Sequence, residues 1–327
     1  MGKRNKIYLI LYALGIFVIP VFLRNNYHLM VLNVTALNIV VVIGLNLLIG
    51  YAGQISLGHA AFFGLGAYLS GILTTTYGFP VGPTMILAVL ITGTVAYVIG
   101  IPTLKLEGHY LVMATLGFNI IVYIMMIQLD RVTGGPSGFA GIPPLRIGGF
   151  VFNSDRKIYY LFWTISVGVL LLSLNLIRSR VGRAMAALSH NEVAAKCAGI
   201  DTEKYKINLF ACSAALASLA GSLYAHYITF ISPGTFSIFY SLQIVTMVLV
   251  GGMGSLWGSV FGAFLLTLLP EFLHGVKDFS VLIHGLVLMG VLVFFPQGLF
   301  PGILQVWMKR MNRRESVQAE TAGGKGT

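Results

Sequence analysis

Apolar residues recur along this chain in long runs broken by short polar or Gly/Pro-containing stretches, and ten such runs are visible. They lie near 7–23, 31–49, 55–74, 83–104, 109–129, 158–177, 207–229, 238–252, 256–273 and 280–300. A helix crossing the hydrocarbon core of a bilayer takes about 20 apolar residues, and most of these runs approach that length. The third and eighth are short or interrupted by Gly. The pattern predicts an all-α, polytopic membrane helix bundle of about ten transmembrane helices.

Composition supports this reading. The chain is 57% hydrophobic and 9% charged, with a mean hydropathy of +0.86, where a soluble domain has about 45–50% apolar and about 25% charged residues. A surface so poor in charge suits lipid. The formal charge of +11 comes from 21 Lys and Arg against 10 Asp and Glu. If the ten runs alternate across a membrane, fifteen of those 21 basic residues fall on the side of the N-terminus and six on the other. That asymmetry is the positive-inside bias. It places both termini in the cytoplasm and accounts for the charge without nucleic acid.

The first run follows Lys3, Arg4 and Lys6, in the manner of a signal peptide, but continues into Pro20 and Arg24-Asn25-Asn26 with no small-residue cleavage site. It is expected as a retained helix. The cysteines, Cys197 and Cys212, show no metal-ligand spacing and imply no disulfide framework.

Several kinds of chemistry are missing. The Gly-Lys pairs, Gly2-Lys3 and Gly324-Lys325, lack a following Ser or Thr, so there is no P-loop. Glu107, Asp130, Glu271 and Asp278 all fall at run ends or in loops, whereas ion-coupled carriers place charge inside the bundle. His59 and His284 stand alone, and no spaced acidic, His or Ser pair suggests an enzyme site. No cofactor or metal is expected in this chain.

Small residues four apart mark close helix contacts in lipid. Gly254, Gly258 and Gly262 form one such series, and Ser213, Ala217, Gly221 and Ala225 another. Between runs two and three the chain reads GYAGQISLG. Here Gly50, Gly53 and Gly58 weaken a helix, and Gln54, Ser56 and His59 bring polar groups to membrane depth. Such irregular backbone is tolerated where it lines a watery cavity or is buried in protein. Gly53, Gln54, Ser56 and His59 are therefore candidate pathway residues, with a plain cytoplasmic turn as the other reading. The stretch TGGPSGFAGIPP, Thr133 to Pro144, is expected to be an ordered turn cluster on the outer face.

The stretch from Arg178 to Lys206 is the most informative. Nine of its 29 residues are charged, so it is built for water or for a partner. A short helix over Met185 to Cys197 is expected, with Ser189 or Asn191 as cap and Gly199 ending it. A helix between two spans is a lever on both.

NEVAAKCAGID within this loop resembles the cytoplasmic coupling loop of ABC-importer permeases of the branched-chain amino acid type. Its flanks SRVGRAMAAL and KYKINLFACSAALASLAGSLYAH extend the likeness, as do LNLLIGYAGQISLGHAAFFGLGAY, LKLEGHYLVMATLGF, TGGPSGFAGIPP and VTMVLVGGMGSLWGSVFGAFLL. Ser189-His190 and Cys197 depart from the family pattern without touching Glu192, Ala194, Ala195 and Gly199. In order and separation the whole is similar to the LivM-type permease family over roughly residues 30 to 300.

The resemblance implies an ABC-importer permease fold over residues 1–308, with a coupling loop at about 178–206 and a polar, disordered cytoplasmic tail at 309–327. It implies a bacterial inner-membrane protein that moves leucine, isoleucine and valine. It further implies a second homologous permease, two ATP-binding cassette ATPases holding the ATP and Mg, and a periplasmic binding protein. Glu192, Ala194, Ala195 and Gly199 would couple to the ATPases. A permease of the same family for urea or a short-chain amide is the nearest alternative, and a stand-alone channel or facilitator a more distant one.

Overall fold

The structure is a computed structural model that describes residues 25–147, 150–152 and 154–272, with isolated positions among 12–20 and 282–302. The expected first and last spans and the 309–327 tail lie outside the described residues, apart from those isolated positions. The eight runs between them each form a helix. In chain order the helices are α1 (Asn26–Ala52), α2 (His59–Thr75), α3 (Val81–Thr103), α4 (His109–Gln128), the single turn α5 (Asp130–Thr133), α6 (Asp155–Arg178), α7 (Arg180–His190), α8 (Glu192–Cys197), α9 (Thr202–Ile228), α10 (Ile238–Gly251) and α11 (Leu256–Phe272). Five of these, α1, α3, α4, α6 and α9, are long and apolar enough to cross a membrane. The chain is a multi-pass, all-α membrane protein.

Helix α1 is the axis of the bundle. Its 27 residues would extend about 40 Å, and from Ala36 to Leu48 every hydrophobic side chain is at most 1% exposed. A helix apolar on all sides belongs at the centre, and α6, α9, α10 and α11 all pack on α1. Helix α9 in turn carries α2 and α3. Helix α6 buries one stripe, with Tyr159, Phe162, Ser166, Val169, Leu170 and Ser173 at helical spacing. Helices α3 and α4 are peripheral: Ile86, Leu90, Val98 and Ile101 on one, and Tyr110, Met113, Ile121 and Met125 on the other, point outward as a lipid-facing surface would.

The connections sort to two ends. At one, the 53–58 turn meets the α7 end, with Ser189 the nearest neighbour of Gly53, and Gly50 abuts Gly254 of the 252–255 turn. At the other, β1 (Phe139–Ala140) pairs antiparallel with β4 (Phe230–Ile231), while β2 (Arg146–Ile147) pairs with β3 (Phe150–Val151). The 133–144 stretch is an ordered turn cluster. Thr133 Oγ1 donates to the Met126 carbonyl at 2.7 Å, and Gly134, Gly135, Gly138 and Gly141 all take positive φ.

Three expectations need correction. The 178–206 stretch forms two helices instead of one over Met185–Cys197: Asn191 at φ −159°, ψ 108° is extended and separates them. The third span begins at His59, because residues 53–58 are not helical. Gly254 does not share a helix face with Gly258 and Gly262. It sits at φ 73° in the turn before α11.

Candidate functional site

The 178–206 segment is built from local caps. Ser179 accepts a hydrogen bond from Gly182 N at 3.3 Å and starts α7. Asn191 accepts from Ala194 N at 3.0 Å and starts α8. Gly199 at φ 80° ends α8 in the left-handed region, where a side chain is strained. Asp201 then caps α9, accepting from Lys204 N at 3.2 Å. The Lys204 ammonium beside Asp201 holds its carboxyl below the usual carboxylate range.

The four candidate coupling residues do not point the same way. Ala194 and Gly199 are exposed, and Val193 beside them is 71% exposed. Ala195 is buried within this chain. Glu192 is turned inward: one oxygen faces Lys196 Nζ at 3.2 Å and Thr202 Oγ1 at 3.3 Å, and the other accepts from Lys206 Nζ. Partial burial alone would raise the Glu192 carboxyl, but hydrogen bonds and charge from Lys206 and Lys196 outweigh it and hold the group below its ordinary value.

The four candidate pathway residues divide as well. Gly53 ends α1 at φ 67°, its N–H reaching the Ile49 carbonyl at 3.1 Å while Gln54 N reaches Leu48 at 3.1 Å. This is a Schellman-type stop, and it explains Gly53 as a turn residue. Gln54 folds back on the Ala52 carbonyl at 3.3 Å. Ser56 and His59, by contrast, are both 1% exposed. His59 Nε2 lies 2.7 Å from Ser213 Oγ on α9, Leu57 N donates to Thr115 Oγ1 at 3.1 Å, and Ser241 Oγ accepts from both Ala60 N (3.0 Å) and Asn119 Nδ2 (3.1 Å). His59 Nδ1 and Asn119 Oδ1 have no hydrogen-bond partner among the described residues. The start of α2 is thus enclosed in a polar knot joined to α4, α9 and α10.

The small-residue series hold these elements close. Ser213, Ala217, Gly221 and Ala225 are all buried on α9, and a methyl group at Gly221 would run into the Phe63 carbonyl of α2. On α11, Gly258 and Gly262 lie against Gly251 and Met247 of α10, again backbone to backbone.

Asn46 is a residue that sequence reading missed. Its Nδ2 lies 2.6 Å from Ser259 Oγ, 3.0 Å from the Ser255 carbonyl and 3.3 Å from the Gly252 carbonyl, while its Oδ1 accepts from Gly254 N at 2.9 Å. With two amide protons it satisfies two of those acceptors at a time. Asn38, two turns earlier, bonds Thr267 (3.0 Å) and Tyr240 (2.8 Å). The signal available in sequence was an Asn recurring inside an otherwise apolar run.

Comparison with known proteins decides what this architecture belongs to. Residues 27–296 match the family described as branched-chain amino acid transport system / permease component. The chain belongs to that permease family. Among curated relatives, the high-affinity branched-chain amino acid transport system permease protein LivM of Salmonella typhimurium is 31% identical over 317 residues, covering 89% of this chain and 75% of the relative. LivM of Escherichia coli is 32% identical over 290 residues, 82% of this chain and 68% of its own. The autoinducer 2 import system permease protein LsrC of Salmonella paratyphi B is 29% identical over 265 residues, 77% and 71% respectively. No solved structure matches the chain. This family member is a permease component of the branched-chain amino acid transport type, a transport subunit.

Proposed function

We infer that this permease forms part of the inner-membrane pathway of an ATP-driven importer for leucine, isoleucine and valine. A second homologous permease completes the pathway, two ATP-binding cassette ATPases bind ATP and Mg, and a periplasmic binding protein delivers the cargo. The observation that carries the ATP-driven reading is the 178–206 segment, folded as two capped helices between spans α6 and α9 and seated beside the 53–58 turn. A facilitator has no use for such an element. The bundle has about ten spans in an ABC-importer permease fold. Its termini and the 178–206 end face the cytoplasm, and the 133–144 cluster faces the binding protein. Ser56 and His59 stand at the inner end of the pathway, with Gly53 and Gln54 forming its turn.

The cargo assignment rests on the two LivM relatives, whose names carry branched-chain amino acids. The test is radiolabelled leucine uptake by the assembled complex in proteoliposomes. Uptake should require ATP inside the vesicles and the binding protein outside, and should be competed by isoleucine and valine but not by urea or acetamide. Uptake that persists without ATP would establish a facilitator. Competition by urea or acetamide in place of valine would reassign the cargo.

A further inference from the structure

The acid on α8 is turned into the chain instead of toward a partner. Both Glu192 oxygens are engaged within the chain, by Lys196, Thr202 and Lys206, and the two partners on α9 are almost fully covered, Thr202 at 1% and Lys206 at 3% exposed. The outward surface of the same helix is formed by Val193, Ala194 and Cys197 together with Lys196, whose ammonium faces Glu192. A docked ATPase would meet that surface, while the acid reaches back to the base of a membrane span.

Covering a lysine is costly unless it is paired, so the position of Lys206 is informative. It lies one turn into α9, on a helix whose buried side continues through Leu209, Phe210, Ser213 and Ala217. Seven residues on, two helical turns along, is Ser213, the hydroxyl that bonds His59. Lys206 and Ser213 are thus on one face of one rigid helix. At its lower end this face holds the short helix by an ion pair, and higher up it holds the start of α2 by a hydrogen bond. A second tie, from Thr202 Oγ1 to Glu192, joins α8 to the first residue of α9.

We propose that the Glu192–Lys206 ion pair is the strut that transmits displacement of α8 into α9, with Lys206 a positioning residue for transport and Val193, Ala194 and Cys197 the surface that meets the ATPase. This deepens the ATP-driven reading and rests on it. Breaking the pair leaves the ATPases bound but lets α8 move without α9, so hydrolysis and uptake separate.

The experiment uses the complete transporter in proteoliposomes, with uptake per ATP hydrolysed as the readout and co-purification of the ATPases measured alongside. Lys206→Met should keep the ATPases attached and lower uptake per ATP about tenfold, a typical coupling loss. The charge-exchanged double variant Glu192→Lys/Lys206→Glu should recover most of the loss, which a mere packing role would not allow. If Lys206→Met fails to assemble, Lys206→Arg should transport at the wild-type ratio and Thr202→Val, which removes one of the Glu192 bonds, should lower it several-fold.

A normal ratio in Lys206→Met, or in Thr202→Val where Lys206→Met does not assemble, would overturn the proposal. So would loss of the ATPases from Glu192→Gln, since Glu192 would then be a docking charge. Uptake by the wild-type complex without ATP would refute the ATP-driven reading itself, a result distinct from any of these.

Discussion

Asn46 shows how one polar side chain can organise an apolar bundle. It is fully buried on the central helix, and its amide bridges to the Gly252–Ser259 region more than 200 residues away in sequence. The 252–255 turn is held against this helix by that amide, which accepts from the Gly254 N–H and reaches the Gly252 and Ser255 carbonyls. Replacing it with Leu keeps the volume and leaves the Gly254 N–H without its acceptor, while the Ser255 carbonyl keeps the Ser259 N–H, at a cost of about 1–3 kcal/mol. Thermal unfolding of purified Asn46→Leu in detergent should therefore begin a few degrees below the unsubstituted chain. An unchanged Tm would show that this amide does not hold the turn. The three-dimensional role of Asn46 was not legible in sequence. An Asn in an apolar run announces a buried polar contact, but its partner is set by which distant helix packs there.

At the scale of elements, the spans were legible because lipid demands long apolar runs whatever the tertiary arrangement. Their ends were less so. Helix α2 starts at His59 because the Schellman stop at Gly53 and the Thr115 hydroxyl hold residues 53–58 open. The division of the 178–206 loop was also hidden. AALSHNEVAAK has high helix propensity throughout; of the two caps that local chemistry offers, Asn191 is the one used, and residues 180–190 before it form a helix of their own. The end of α8 was legible, since Gly199 takes the left-handed conformation expected of a helix stop. No atom lies near the position a methyl group would occupy there, so substitution acts through backbone strain alone. Gly199→Leu should cost about 1–2 kcal/mol and lower leucine uptake several-fold at normal membrane levels, while Gly199→Asn, which tolerates this conformation, should transport nearly as well as wild type. Equal uptake in both variants would mean that the stop at Gly199 does not position α8.

The whole molecule presents two chemically different ends, and its orientation can be read from them. The 178–206 segment carries Arg178, Arg180, Arg183, Lys196, Lys204 and Lys206, while the opposite end, built from the Gly- and Pro-rich cluster and two short strand pairs, carries Arg131, Arg146, Arg156 and Lys157; over the whole chain the split is fifteen to six. The more basic end should lie in the cytoplasm. The chain supplies its own reporter, because Cys197 is exposed on α8, and Ser137 is exposed in the cluster at the other end. In a Cys212→Ser background, a membrane-impermeant maleimide applied to spheroplasts should label Ser137→Cys at once and leave Cys197 unmodified. In cells expressing the permease without its ATPases, which would cover Cys197, permeabilising the membrane should then expose it. The Ser137→Cys/Cys197→Ser variant should label before permeabilisation and the Cys197-only chain after it. The two positions are separated by the full length of α6 in sequence and sit at opposite ends of the bundle, so an odd number of spans lies between them. Labelling of both from the same side would contradict the bundle topology, and the reverse order would invert the orientation and with it the cytoplasmic placement of the coupling segment.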